Sequence, residues 1–176
     1  MASSPQDYPV VRVPEAFDAE FPDCSRLATE TFLNIGLLVG AVQAAVERLV
    51  GAQGLPSDAA FNVLSVLGGD PEPLRPSEIA ARMMVTRATT TGLLDTLERR
   101  GLVLRSAGTG DGRSRLVSLT PAGRAVVDRL VPAMHRFEAD LMGVLSDPDL
   151  ERLLETVATL QSRLAELEPN ARFGIR

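Results

Sequence analysis

Residues 76–103 read PSEIAARMMVTRATTTGLLDTLERRGLV, and the helix signals within them decide the fold. Pro76 suits the first position of a helix, and Glu78 follows in the first turn, where the helix dipole favours an acid. Thr86 is then a good N-cap for a second helix, which Gly101 closes as a left-handed cap. The stretch therefore predicts two short helices joined by a tight turn.

The second helix, from Thr86 to Arg100, has two unlike faces when its residues are projected at about 100 degrees each. One face carries Thr90, Leu93, Leu94 and Leu97, and the other carries Ala88, Thr91, Gly92, Asp95 and Arg99. A small outward face lets a helix backbone approach base edges in a DNA groove, where hydroxyls such as those of Thr89 and Thr91 contact bases or phosphates. A solvated face can carry the same pattern by chance, so both interpretations stay open on this evidence alone.

Two β-prone runs, 102–105 and 115–119, follow the second helix and flank a glycine-rich segment, 106–112, which predicts a β-hairpin. A hairpin in this position turns a helix-turn-helix into a winged one. Arg113 and Arg115 lie at its tip and rising strand, where arginine can enter a narrow minor groove, and Asp111 can hold an arginine in a fixed pose. The alternative is a surface ion pair that contributes about 0–1 kcal/mol to stability. The position of the hairpin directly after the second helix favours the DNA contact.

Long helices are predicted on both sides of this core, after a proline-spaced arm. In residues 26–50 and again after Asp147, apolar residues recur at steps of three and four; they are Phe32, Ile35, Val39, Val42, Val46 and Leu49, then Leu150, Leu153, Val157, Leu160, Leu164 and Leu167. Such stripes pack either within one chain or against a second copy. We expect a symmetric homodimer, because a single winged helix reads only a few base pairs.

The predicted fold is mainly α with a small β-hairpin wing, a winged helix-turn-helix core flanked by N- and C-terminal dimerisation helices. The expected regions are an extended arm (1–25), an N-terminal dimerisation helix (26–54), a DNA-binding domain (55–124), C-terminal dimerisation helices (125–168) and a tail (169–176).

Charge is distributed unevenly over the 176 residues, although the net charge of -5 alone would argue against a nucleic-acid partner. Between Leu74 and Arg124, nine arginines stand against four acids, whereas the rest of the chain carries nine arginines and nineteen acids. A basic middle between acidic arms is what a DNA-binding core attached to non-binding helices would show.

Other classes of protein find little support in the sequence. A single cysteine, Cys24, and a single histidine, His135, offer no cluster for a metal, and there is no nucleotide-binding or hydrolase motif, so neither an enzyme nor a cofactor is expected. A redox role for Cys24 and a ligand-facing role for His135 are the less favoured interpretations of both residues. Uninterrupted apolar runs stop short of the roughly 20 residues that cross a bilayer, and the start of the chain does not resemble a signal peptide, so a cytoplasmic protein without a membrane partner is expected.

Three stretches resemble the MarR-type transcription factors, from the multiple antibiotic resistance regulator family: Pro76–Ala80, Thr86–Val103 and Asp111–Gly123. The resemblance covers roughly Phe32 to Leu167. It implies a dimeric winged-helix protein that usually represses and often releases DNA when a small aromatic or lipophilic effector binds. It also implies that Thr86, Arg87, Thr89 and Thr91 lie at or near the major groove and Arg113 at the minor groove.

The chain departs from the family pattern at three positions. Arg75 stands where a threonine or serine cap is common, Gly112 where the wing is often basic, and Thr90 where the core side often has valine. The hydroxyl of Thr90 therefore needs an acceptor, for which a backbone carbonyl is suitable.

The sequence thus predicts a sequence-specific regulator that binds a pseudo-palindromic double-stranded operator. In this hypothesis Arg87, Thr89 and Thr91 touch bases or nearby phosphates, Ser77 and Thr86 contact phosphates, and Arg113 with Arg115 holds the flank, with Asp111 orienting the wing. The alternative is a helical interaction module whose winged helix binds a protein.

Overall fold

The computed structural model describes residues 10–107 and 115–167, which form seven helices and one two-stranded sheet. In chain order the elements are α1 Phe17–Glu20, α2 Arg26–Gly51, α3 Asp58–Gly68, α4 Pro76–Met83, α5 Arg87–Arg99, β1 Val103–Ala107, β2 Arg115–Leu119, α6 Pro121–Met142 and α7 Asp147–Leu167. The mainly helical fold with a small hairpin is the one that the sequence predicts. The chain divides into two compact units, Met1–Leu130 and Val131–Arg176.

The N-terminal arm runs along α2 and is fixed to it by two polar side chains. Asn34 accepts a hydrogen bond from the backbone N–H of Val11 at 2.9 Å and donates one to the Val11 carbonyl at 3.0 Å. The carboxylate of Glu30 accepts from the Val13 N–H at 2.9 Å. One turn of helix, α1, interrupts the arm that was predicted to be extended throughout, because Pro14 and Pro22 leave enough residues between them for a single turn.

Helix α2 begins at the N-cap Ser25, whose hydroxyl accepts from the Ala28 N–H at 3.2 Å. By length and composition it is apolar enough to cross a membrane, a property that its uninterrupted apolar runs do not reveal. Most of its first half is exposed, including Phe32 at 77%. This helix therefore presents an apolar surface that its own chain leaves uncovered over the described residues.

The hydrophobic core of the first unit lies where α3, α4, α5 and the hairpin meet. Its fully buried side chains include Leu64, Ile79, Leu94, Leu97 and Val117. Leu74, in the connector before α4, pairs with Val117 through two backbone hydrogen bonds of 2.8 and 3.0 Å, which adds a third short edge to the hairpin. The core thus holds the two short helices and the hairpin together.

Local chemistry sets the turn between α4 and α5. Met84 adopts a left-handed conformation, with φ of 54°, and its side chain is 95% exposed. Thr86 then caps α5, accepting from the Thr89 N–H at 3.2 Å, and Gly101 follows the helix with φ of 69°. The predicted capping roles of Thr86 and Gly101 are confirmed.

The hairpin pairs β1 and β2 antiparallel, with Val103 opposite Leu119 and Ala107 opposite Arg115. The first strand was predicted to end at Arg105. It continues through Ser106 and Ala107 because their pairing with Leu116 and Arg115 extends the ladder, a long-range contact that local β-propensity does not register.

Candidate nucleic-acid interface

Helix α5, the predicted recognition helix, separates its residues into a buried and an exposed side. Thr90, Leu94 and Leu97 are fully buried, and Leu93 is half-buried. The residues predicted to face outward are all exposed; they are Ala88, Thr91, Gly92, Asp95 and Arg99. The division predicted from helical periodicity is therefore confirmed, and the exposed N-terminal part of this side is small, as a helix entering a DNA groove requires.

The threonine hydroxyls of α5 are occupied locally. The hydroxyls of Thr86 and Thr89 lie 2.9 Å apart, and the Thr91 hydroxyl donates to the Arg87 carbonyl at 2.9 Å. Each oxygen retains acceptor capacity, and a hydroxyl rotates to suit a new partner. The Thr90 hydroxyl donates to the Thr86 carbonyl at 3.1 Å, which is the backbone acceptor expected for this buried group.

Several arginines of the basic middle have partners that hold them in place. Arg82 contacts Asp70 at 2.7 Å, and this guanidinium, with the Glu72 N–H, holds the pKa of the Asp70 carboxyl below its usual value. Arg124 donates to the Gly68 carbonyl at 2.9 Å, and Arg100 donates to the Gly54 carbonyl. These arginines therefore stabilise the fold as well as contributing positive charge.

Among the residues that the structure describes, two arginines near the helix starts have no such partner. Within the described ranges 10–107 and 115–167, neither Arg75 nor Arg87 takes part in a salt bridge. Arg87 is exposed in the first turn of α5, and Arg75 precedes α4. Guanidinium groups left unpaired at these positions are suited to phosphate contacts.

The start of α4 is stabilised without a side-chain cap from Arg75. The backbone N–H of Arg75 donates to the Glu78 carboxylate at 2.6 Å, a hydrogen bond that forms half of a capping box. Pro76 occupies the first turn of the helix. Ser77 is exposed in that turn. Glu78 therefore compensates for the absence of a threonine or serine cap at position 75.

Only part of the predicted wing site can be located. Arg115 is exposed at the start of β2, opposite Ala107. Asp111, Gly112 and Arg113 lie outside the described residues.

One ion-pair cluster was missed by the sequence reasoning. Arg105 on β1 contacts Asp95 at 2.6 Å and Glu98 at 2.8 Å, both on α5. The alternation of side chains along β1 could have indicated it, because it places Arg105 on the same face of the strand as the buried Val103. The cluster joins the wing to the recognition helix.

The single cysteine and the single histidine of the chain are not among the residues of this interface. Cys24 and His135 are both exposed. In the described part of the chain, no group of three or more His, Cys, Asp or Glu residues is arranged to hold a metal.

Comparisons with known proteins agree with this geometry. A model of the MarR family matches residues 58–114. The HTH-type transcriptional repressor YetL of Bacillus subtilis (strain 168) is 31% identical over 77% of this chain and 81% of its own length. The M. tuberculosis regulator MOSR, solved in complex with DNA, is 27% identical with a TM-score of 0.59, over 75% of this chain and 96% of that one.

CouR from Rhodococcus jostii RHA1, solved with p-coumaroyl-CoA bound, has a TM-score of 0.65 over 78% of this chain and 95% of its own. At 23% identity this likeness establishes the fold.

Proposed function

Because the chain belongs to the MarR family, we propose that it regulates transcription by binding a pseudo-palindromic double-stranded DNA operator as a symmetric homodimer. YetL is a named repressor, and MOSR was solved on DNA, and both precedents support this assignment. Repression with release by a small aromatic or lipophilic effector is part of the proposal.

The exposed N-terminal side of α5 is the observation that carries the proposal. It combines small residues, two exposed threonines and the arginine Arg87, which forms no salt bridge among the described residues, on a helix whose other side is locked into the core. In the MarR-type arrangement this side enters the major groove. A helix buried on one side and small on the other can present its backbone to base edges without rearranging.

Each predicted contact residue has a proposed role. Arg87, Thr89 and Thr91 contact bases or adjacent phosphates, and Ser77 and Thr86 contact phosphates at the helix starts. Arg115 and Arg113 hold the flanking minor groove, with Asp111 orienting the wing.

A homodimer accounts for the exposed apolar side chains of the two long helices. On α7 the stripe Leu153, Val157, Leu160, Leu164 and Leu167 is between 37% and 56% exposed, and on α2 Leu37 and Leu38 exceed 50%. Exposed apolar patches of this kind mark association sites. A membrane span by α2 is less compatible with Glu30 and Asn34, whose side chains are engaged by the arm on that helix.

This proposal assigns residues 55–124 to DNA binding and residues 26–54 and 125–168 to dimerisation. It also places the protein in the cytoplasm. An effector bound near the dimerisation helices would act by favouring one spacing of the two recognition helices over another.

The test is a fluorescence-anisotropy titration with duplex DNA from upstream of the protein's own gene and a scrambled duplex of equal length, each at two salt concentrations. We expect tighter binding to the native duplex and an affinity that falls steeply with salt. An absence of binding to either duplex at low salt would overturn the proposal and favour a protein-binding winged helix.

A further inference from the structure

Two carboxylates lie on the helix that the proposed function places against DNA. Asp95 is on the exposed side of α5 with its side chain 53% exposed, and Glu98 is one turn further with its side chain 38% exposed. Phosphates surround any helix in a groove, so unpaired carboxylates there would oppose binding. The chain must therefore either keep these charges away from DNA or neutralise them.

Arg105 provides the neutralising charge from another element. One guanidinium nitrogen of Arg105 contacts the Asp95 carboxylate at 2.6 Å and the Glu98 carboxylate at 2.8 Å. The second oxygen of Glu98 also accepts from the Arg105 backbone N–H at 3.3 Å. The neighbouring Arg99 donates instead to the Asp95 carbonyl and the Thr96 hydroxyl. Among the residues that the structure describes, Arg105 is therefore the arginine that pairs with these two carboxylates.

The position of Arg105 makes this cluster stiff. Its side chain is only 16% exposed, and it lies on the face of β1 that carries the buried Val103. An ion pair shielded from water is screened less than one on an open surface. The backbone bond to Glu98 fixes the strand itself, not only a long side chain, against the helix.

We propose that Arg105 is a positioning residue for DNA binding, which locks the wing to the recognition helix and neutralises the carboxylates of Asp95 and Glu98. This inference rests on the proposed DNA-binding function. Arg105 itself does not touch DNA in this account. Its effect passes through the two acids and through the angle between β1 and α5.

Arg105→Gln tests the proposal directly, in anisotropy titrations of the full-length protein with the native upstream duplex at low and high salt. We expect affinity to fall by about tenfold at low salt, the size of effect that members of one ion-pair network exert on each other. The loss should shrink at high salt, because salt screens the repulsion between the freed carboxylates and phosphate.

Arg82→Gln is the matched control. It removes the same charge from the basic middle and also leaves one carboxylate, Asp70, without its arginine. We expect its affinity to stay within about twofold of wild type. Equal losses in both variants would mean that net charge alone matters, and would overturn a specific role for Arg105.

Two further variants separate positioning and charge from a simple loss of folding. Asp95→Asn added to Arg105→Gln should recover a large part of the lost affinity, whereas a purely structural defect would not be rescued by removing a charge. Asp95→Asn alone keeps the Arg105–Glu98 pair, so it should lose less affinity than Arg105→Gln does. A loss of tenfold or more in that single variant would make Asp95 a DNA ligand and would overturn the proposal even if Arg105→Gln proved unable to fold.

The wild-type protein is the reference that distinguishes failure of the proposed DNA-binding function from failure of the role of Arg105. If it binds neither duplex, the proposed function fails and this inference fails with it. If it binds the native duplex and Arg105→Gln binds equally well, only the role of Arg105 fails.

Discussion

At the scale of single residues, threonine serves three purposes at the N-terminal end of α5. Thr86 caps the helix with its hydroxyl, Thr90 is fully buried and bonds the Thr86 carbonyl, and Thr91 is exposed. The same side chain is therefore a cap, a core group and a candidate DNA contact according to its place on the helix. Only the third purpose depends on a ligand.

Arg113→Ala is expected to weaken binding to every DNA sequence by a similar factor. A minor-groove arginine interacts chiefly with the negative potential of the backbone, so the salt dependence should become shallower by about one phosphate. Anisotropy titrations at several salt concentrations, with Arg152→Ala on α7 as the control, measure both effects. An unchanged affinity would remove the wing from the mechanism.

Glu30 is a second residue whose charge state has a structural consequence. Hydrogen bonding from the Val13 N–H, followed by the Arg12 guanidinium at 3.0 Å, lowers the pKa of the Glu30 carboxyl below its usual 4.5. A group with a lowered folded-state pKa stabilises the fold above its unfolded pKa, and that contribution is lost as the pH falls through the folded value. The arm should therefore be held at neutral pH and loosened in acid.

Glu30→Gln should lower Tm at pH 7, because it removes the charged acceptor that holds Arg12 and Val13. The difference in Tm from wild type should shrink as the pH falls below about 4. Thermal unfolding between pH 3 and pH 7 measures this, with Glu15→Gln, an exposed acid in the same arm, as the control. A difference that stays constant over the whole range would contradict the account.

At the scale of elements, Gly123 sets how closely α6 approaches the end of α5. A Cβ at this position would lie 2.0 Å from the carbonyl oxygen of Leu102, which already accepts from the Thr120 N–H at 3.1 Å. Because the clashing atom belongs to the backbone, a change of side-chain rotamer cannot relieve the clash. The junction between the hairpin and α6 therefore requires glycine.

Gly123→Ala is expected to lower the free energy of unfolding by roughly 3 kcal/mol, the upper part of the range for overpacking a filled site. Urea unfolding followed by circular dichroism measures the change. Gly51→Ala is the matched control, since a Cβ there meets nothing within 4 Å. Two variants of equal stability would show that the α6 junction relaxes at little cost.

The sequence predicts those parts of each element that depend on local chemistry. The cap Thr86 starts α5 where its hydroxyl can accept a backbone N–H group, and Gly101 ends that helix. The end of β1 and the Arg105 cluster were not predicted, because both depend on partners distant in sequence or on another element. The contact residues at the start of α5 lie on the predicted side, and their role toward DNA stays a prediction.

At the scale of the whole molecule, two long helices leave apolar stripes exposed while a small core carries the candidate interface. Exposed leucines on α7 reach 70% at Leu154. Full burial of an exposed leucine contributes roughly 1.5–3 kcal/mol, and covering the half-exposed side chains of the stripe contributes a proportional part of it. The proposed dimer is thus the state in which these stripes are covered and two recognition helices act together.

Leu160→Glu should convert the protein to a monomer at micromolar concentration, because it places a charge in the middle of the α7 stripe, where Leu160 is 52% exposed. Operator affinity should fall with it, since one winged helix reads only one half-site. Sedimentation velocity measures the oligomeric state. Gln161→Glu adds the same charge beside the stripe and should remain dimeric, and a dimer unaffected by Leu160→Glu would place the interface elsewhere.

A hydroxyl-radical footprint of the protein on the DNA upstream of its own gene shows whether two recognition helices bind the operator together. We expect two symmetric protected half-sites whose centres lie about one helical turn, roughly 10 base pairs, or a multiple of it apart, and we expect protection to be lost in Arg87→Ala. A single unsymmetric protected segment, or protection unchanged by Arg87→Ala, would contradict binding by paired recognition helices.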